Sequence, residues 1–312
     1  MGKEKHQEMI PQLSAPAVQW FPGHMAKTRR LMQESLRLVD MVLEITDARI
    51  PQSSRNPELD RWLGDKPRML MLNKADSADP AVTARWLSYY QRQGIAAIAC
   101  DCRSGKGLNR FLPAAKELLA GVLERRKQRG MVGGALRIMV VGIPNVGKSS
   151  FINRMAGGKR AKVEDRPGVT RGRQWVSIGG ELELLDMPGV LWPKFEDPAV
   201  GEKLAFTGAV KDDVVDTELL AMRLLGCLRQ GYPAALEDRF KLAGTDYQDL
   251  GEFELLELVG RRRGMLVSGG EVNTERAAAV VLDEYRSGKL GRITLEFPPR
   301  AGGETDECTD RV

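Results

Sequence analysis

The sequence predicts an α/β domain built on a largely parallel sheet, followed by a smaller, mostly α-helical domain. Three observations carry that expectation. Short apolar runs alternate with longer segments of helical period, the pattern of helices laid over parallel strands. A glycine-rich turn at 142–149 lies between a strand-like run and a helix-like one. After Pro193 the strand-like runs stop and helical periodicity takes over.

Taken in order, Met1–Ala17 mixes Lys3 and Lys5 with Glu4 and Glu8 and lacks an apolar core, so residues 1–17 are expected to be a flexible leader. A helix-like segment, Ala26–Val39, precedes the first strand candidate, Met41–Thr46. Arg68–Leu72, Ile95–Cys100 and Leu136–Val141 are further strand candidates. Between them, a helix from about Pro80 carries Val82, Trp86, Leu87 and Tyr90 and stops at Gly94; a second, from about Asn109, carries Leu112, Ala115, Leu118, Leu119 and Val122 and runs to Gly130. Trp175–Ile178 and Glu181–Leu185 alternate around Gly179 and Gly180, which reads as a hairpin. Thr217–Arg229, Glu252–Arg263 and Thr274–Arg286 read as helices separated by Gly and Pro. The expected division is a first domain over 18–198, a helical domain over 199–299 and a loose tail over 300–312.

The 312 residues suffice for two domains, and 42% hydrophobic with 29% charged residues excludes a wholly disordered chain. Lys plus Arg exceed Asp plus Glu by 47 to 42, a mild positive balance that suits a polyanionic partner. Four scattered cysteines make no disulfide framework and fit a reducing cytoplasm. Cys100 and Cys102 would share one face of an extended run, but with only His6 and His24 in the chain a zinc site is not expected. No apolar run approaches the roughly 18 residues a membrane span needs.

Gly142-Ile143-Pro144-Asn145-Val146-Gly147-Lys148-Ser149 is the strongest chemical signal. A Gly-x4-Gly-Lys-Ser turn wraps backbone N–H groups around a phosphate at a helix N-terminus. Asn145, Val146, Gly147, Lys148, Ser149 and Ser150 are therefore assigned to phosphates, with Lys148 as the point charge and the Ser149 hydroxyl as a Mg²⁺ ligand. Such a turn holds ATP or GTP alike. The base is read from Asn73-Lys74-Ala75-Asp76, where the Asp76 carboxylate can accept from both N1–H and the exocyclic amino group of guanine; adenine lacks that donor pair. Asp186-Met187-Pro188-Gly189 fits an Asp-x-x-Gly element, with Asp186 bearing on Mg²⁺ and the Gly189 N–H facing the γ-phosphate. Thr170 lies where it could close over Mg²⁺.

The order of these pieces is unusual. Ordinary GTPases carry the phosphate loop first and the guanine-reading tetrapeptide late, whereas here position 73 precedes position 142. The expected fold is therefore a circularly permuted P-loop GTPase domain, a rearrangement that costs little where termini lie close together on the surface.

With Trp20-Phe21-Pro22-Gly23-His24-Met25, Asp47-Ala48-Arg49-Ile50-Pro51 and Leu191-Trp192-Pro193-Lys194-Phe195 added to these motifs, nearly the whole chain resembles the ribosome biogenesis GTPase A (YlqF/RbgA) family of circularly permuted GTPases. The resemblance implies GTP hydrolysis coupled to late assembly of the bacterial large ribosomal subunit. Its implied partners are the immature particle, ribosomal proteins and ribosomal RNA, the last bound with help from the helical domain. It also implies that Asp101 and Cys102 form a second guanine-contacting loop, with cysteine where relatives often carry serine; a small buried filler is the other reading of Cys102.

Where Ras-like enzymes place a water-orienting Gln, this chain has Val190, so hydrolysis is expected to be weak alone and completed by another group or by the ribosome. His24 is one candidate for that group; a structural or RNA-facing role is the other reading. Asn145 resembles the loop asparagine that seats K⁺ in some GTPases, and a polar loop cap is the alternative. Arg125, Arg126, Lys127 and Arg129, together with Arg261, Arg262 and Arg263, read either as RNA contacts or as solvated basic faces. Two rival functions stand beside the GTPase: a non-enzymatic RNA-binding assembly factor switched by GTP, and a GTPase of tRNA modification.

Overall fold

In the computed structural model, residues 30–130, 134–157, 161–164, 174–189, 191 and 197–299 are described. The leader, the 20–25 segment with His24, Thr170, Val190 and the tail lie outside them. Seven strands form one sheet in the order β3-β2-β1-β4-β7-β6-β5. They are β1 (Met41–Asp47), β2 (Arg68–Asn73), β3 (Ala96–Ala99), β4 (Leu136–Val141), β5 (Ala161–Glu164), β6 (Gln174–Ile178) and β7 (Leu182–Asp186). β3, β2, β1, β4 and β7 are mutually parallel, and β6 pairs antiparallel with both β7 and β5.

Parallel strands are covered on both faces, and the burial of β1 shows it: every residue is buried, Glu44 included. Met41, Leu43 and Ile45 project into one core with Phe111, Phe151 and Ile152. On the opposite face Val42 meets Met32, Leu36, Leu59 and Leu63. The covering helices include α1 (Pro57–Leu63), α2 (Pro80–Arg92), α3 (Phe111–Leu118), α4 (Ala120–Gln128) and α5 (Lys148–Ala156). Of the expected helix over 26–39, the described part is helical at 30–36.

The C-terminal region contains α6 (Pro198–Phe206), α7 (Thr217–Gly231), α8 (Pro233–Phe240), α9 (Glu252–Arg262) and α10 (Thr274–Arg286). Its core residues, such as Leu224, Leu256 and Val281, are continuous with the core on one face of the sheet. The segment after α10 returns to the sheet: Ile293 N–H donates to the Ser77 carbonyl (3.0 Å) and Leu295 N–H to the Arg49 carbonyl (2.8 Å).

The structure differs from expectation in three ways. The helix foreseen over 109–130 is two helices, because Leu119 leaves helical geometry (φ −97°, ψ 8°) while burying its side chain completely. Apolar spacing continues across that break and hides it. Helices α1, α6 and α8 are additional to the expected elements; each begins with a proline, Pro57, Pro198 or Pro233, in its first turn, where a missing N–H costs nothing. The short edge strand β5 also went unforeseen.

Candidate functional site

Because five strands run in one direction, the loops after β1, β2, β3, β4 and β7 emerge along one edge of the sheet. Those loops carry 47–51, 73–76, 101–102, 142–149 and 186–189. Crevices at such an edge are where α/β sheets bind ligands.

Asn73, 3% exposed, joins three of the loops. Its Nδ2 donates to the Val146 carbonyl (2.7 Å), and its Oδ1 accepts from the Cys102 N–H (2.9 Å). The base-reading tetrapeptide is thereby bonded directly to the phosphate loop, 73 residues away in sequence. Gly147 is required at this junction: its φ is +104°, and a Cβ there would collide with the Asn73 amide nitrogen. Asp76 is exposed at the loop tip, with the Ser77 hydroxyl donating to it (3.2 Å).

Lys148 opens α5 and is buried. Its Nζ donates to the carbonyls of Gly142 (3.0 Å) and Ile143 (2.9 Å). Burial pushes its pKa down from 10.5 to about 8, against the opposing pull of Asp186. The Asp186 carboxyl is in turn raised by burial and lowered by Lys148. Gly189 lies over the same place, where an added Cβ would stand 2.8 Å from Lys148 Nζ and 3.1 Å from Pro144 Cα. Ser149 and Ser150 are exposed at the start of α5. Exposed Asn145 (φ +57°) directs its Nδ2 to the Gly208 carbonyl just beyond α6 (2.7 Å).

Asp101 accepts from the N–H groups of Arg103 (2.8 Å) and Ser104 (3.0 Å), which shapes its own loop. The Cys102 side chain is buried, with its Sγ 3.7 Å from Cys100 Sγ, so it packs as a small core residue while its N–H serves Asn73. Among the basic residues singled out, Arg126 is ion-paired with Asp40, Arg263 with Glu284, and Arg262 donates to the Thr245 hydroxyl (2.8 Å). Arg125, Lys127, Arg129 and Arg261 are exposed. Sequence reasoning gave Asp47 and Arg49 no role of their own, yet both are buried beside Lys74, whose Nζ lies 2.9 Å from Asp47 Oδ2. Two charges directly after an apolar strand were the available signal.

A phosphate loop on β4, a base-reading loop on the earlier β2 and an Asp-x-x-Gly turn on β7 define a circularly permuted GTPase. A family model described as 50S ribosome-binding GTPase matches residues 137–223. Ribosome biogenesis GTPase A of Priestia megaterium is 50% identical over 285 residues, 91% of this chain and 98% of that protein. Mitochondrial ribosome-associated GTPase 1 of Bos taurus is 34% identical, covering 96% and 95% of the two chains. The solved GNP-bound YlqF of T. maritima superposes with a TM-score of 0.61 at 25% identity over 87% of this chain and 98% of that one. The chain belongs to the ribosome biogenesis GTPase A family.

Two outcomes test this geometry. Asn73→Asp keeps the size but replaces the donor to Val146 with a carboxylate facing that carbonyl; a loss of about 1–3 kcal/mol in urea unfolding is expected, with no advantage over Asn73→Ala. For Lys148, the unfolded chain binds more protons than the folded one between pH 8 and 10.5, so its depressed pKa makes stability rise with pH across that window. Lys148→Met should abolish that rise when unfolding is measured at pH 7.5, 9 and 10.5.

Proposed function

We propose that the chain binds GTP along this edge and hydrolyses it to GDP and phosphate during late assembly of the bacterial large ribosomal subunit, with turnover stimulated by the immature particle. The Asn73–Val146 hydrogen bond carries the reading, because it holds the two halves of a purine triphosphate site in one cleft. In that cleft Asp76 accepts from guanine N1–H and the exocyclic amine, and Lys74 flanks the base. Asp101 and Cys102 belong to the second guanine-contacting loop, which Asp101 shapes from within and whose Cys102 N–H braces Asn73.

The phosphate end suits an anion. Lys148 is a buried cation held by two carbonyls, and desolvation already weakens its hold on its proton. Phosphate oxygens would supply the missing countercharge, with the N–H groups of Val146, Gly147, Lys148, Ser149 and Ser150 around them and the Gly189 N–H opposite. Hydroxyl and carboxylate oxygens are the donors Mg²⁺ prefers, and Ser149 and Asp186 fit it, with Thr170 as the third expected contributor. The ion supplies charge neutralisation at the phosphates. Asn145 spends its Nδ2 on Gly208 and keeps Oδ1, the atom an amide offers to a cation such as K⁺.

The water-orienting group is assigned to His24 or to the particle, since Val190 cannot polarise water. Residues 18–198 form the GTPase domain and 199–299 the helical domain that helps bind ribosomal RNA; of the basic residues singled out from the sequence, Arg125, Lys127 and Arg129 in the first and Arg261 in the second are exposed to such a partner. Among the described residues no helix is long and apolar enough to cross a membrane, and a cytoplasmic place is proposed. The partners are the immature large subunit, its RNA and ribosomal proteins.

Multiple-turnover phosphate release with purified large-subunit intermediates is expected to exceed release by the protein alone and to be faster in K⁺ than in Na⁺ at equal ionic strength. Equal turnover with and without the particle would favour a GTP-switched binding factor. Asp76→Asn should move preference from GTP toward xanthosine triphosphate by at least about tenfold in kcat/KM, because an amide matches the carbonyl that replaces the amine. Unchanged selectivity would reject the base assignment.

A further inference from the structure

Asp47, the last residue of β1, and Arg49, just past it, are almost fully buried, at 1% exposure each. One edge of the Arg49 guanidinium is committed to Asp47, with Nε to Oδ1 at 2.9 Å and Nη2 to Oδ2 at 2.8 Å. The same carboxylate accepts the Arg49 N–H (3.0 Å) and Lys74 Nζ (2.9 Å). The other edge faces a distant element. Nη1 donates to the carbonyls of Tyr285 (3.0 Å) and Arg286 (3.3 Å) in the last turn of α10, and the guanidinium carbon stands 4.9 Å over the Tyr285 ring.

Last-turn carbonyls lack helical partners and carry the negative end of the helix dipole, so a cation there is doubly suited. Lys74 needs an external hold, because its φ of +61° is a conformation that costs a side-chain-bearing residue about 1 kcal/mol. Burial alone would raise the Asp47 carboxyl; Arg49 and then Lys74 overcome this and keep it well below the ordinary carboxylate range. The seat of α10 extends further. Arg286 donates to Ala205 (2.9 Å) and Phe206 (3.1 Å) at the end of α6, two residues before the Gly208 that receives Asn145 of the phosphate loop.

We propose that Arg49 is a positioning residue for guanine recognition: through Asp47 it sets Lys74, and through the last carbonyls of α10 it makes retention of the nucleotide depend on how the helical region is seated. The proposal rests on 73–76 being the base-reading loop. A planar fork is needed, since one guanidinium serves two directions at once and an ammonium on a lysine stem cannot. By linkage, bound nucleotide must strengthen the seat of α10 as much as the seat strengthens nucleotide binding.

The test follows release of methylanthraniloyl-GDP and methylanthraniloyl-ADP from the full chain by stopped flow. Arg49→Lys is expected to speed release of the GDP probe about tenfold. Glu44→Gln is the comparison: it weakens the buried Glu44 contacts with Arg55, Arg68 and the Asn56 N–H without touching Lys74 or the helical region. It should change release less than about twofold at a similar loss of Tm. In a Lys74→Met background, Arg49→Lys should add nothing. Equal acceleration by Arg49→Lys and Glu44→Gln, no acceleration by Arg49→Lys, or full additivity with Lys74→Met would each overturn the proposal while leaving the base reading intact. A wild-type chain that releases the GDP probe as fast as the ADP probe would overturn both. Hydrogen exchange of the unmutated protein gives a reading independent of whether any variant folds: saturating GDP should slow exchange at the Ser287 and Gly288 amides, and unchanged exchange there would sink the coupling.

Discussion

The side-chain amide of Asn73 is the joint on which the cleft depends. It is buried, and it must give a hydrogen to Val146 while taking one from Cys102. Only a group with a donor and an acceptor on one planar head can do both, so aspartate, leucine or serine would leave a backbone group unpaired or opposed. The glycine beneath it is required for the same reason, because a side chain at 147 would occupy the space of the Asn73 nitrogen. Unpaired polar groups are costly in a buried junction, so the joint also specifies how the loops after β2, β3 and β4 stand relative to one another.

Beside the apolar core they share, the helical region is tied to that cleft by directional polar contacts, most of them buried. Arg49 meets α10, Glu296 receives the N–H groups of Gln52 and Ser53 along with the Ser53 hydroxyl, and Asn145 reaches Gly208. Such contacts add little net stability over apolar packing, but they are severe about geometry, since a partner that moves leaves a buried charge uncompensated. Apolar packing alone could slide; these ties favour discrete settings. That property suits the coupling between α10 and the nucleotide proposed above.

Circular permutation is tolerated because the site is an edge of the sheet and chain order does not enter it. Parallel pairing of β4 with β1 and β7 places the phosphate loop between the neighbours it needs, whichever strand is made first. The rearrangement also brings the Asp186–Gly189 turn shortly before α6 in the chain, so a turn that lies against Lys148 leads toward the helices.

Much of this was legible in the amino-acid string. The strands at 41, 68 and 136, the helix at 274–286 and the phosphate and base loops follow from local patterns, because apolar period and glycine-rich turns express physics within a few residues. The Pro-initiated helices were not legible, since proline both ends and begins helices and only the surrounding packing tells which. Leu119 looked like one more apolar position of a continuous helix until its burial showed a break. Arg49 as a two-sided tie depends on a partner 236 residues away. The sequence by itself determined which chemistry is carried and on which turns, because backbone conformation and side-chain type act locally. Only the tertiary structure decided which of those turns touch and what the helical region holds on to, because a hydrogen bond across the cleft depends on distances that long-range packing alone sets.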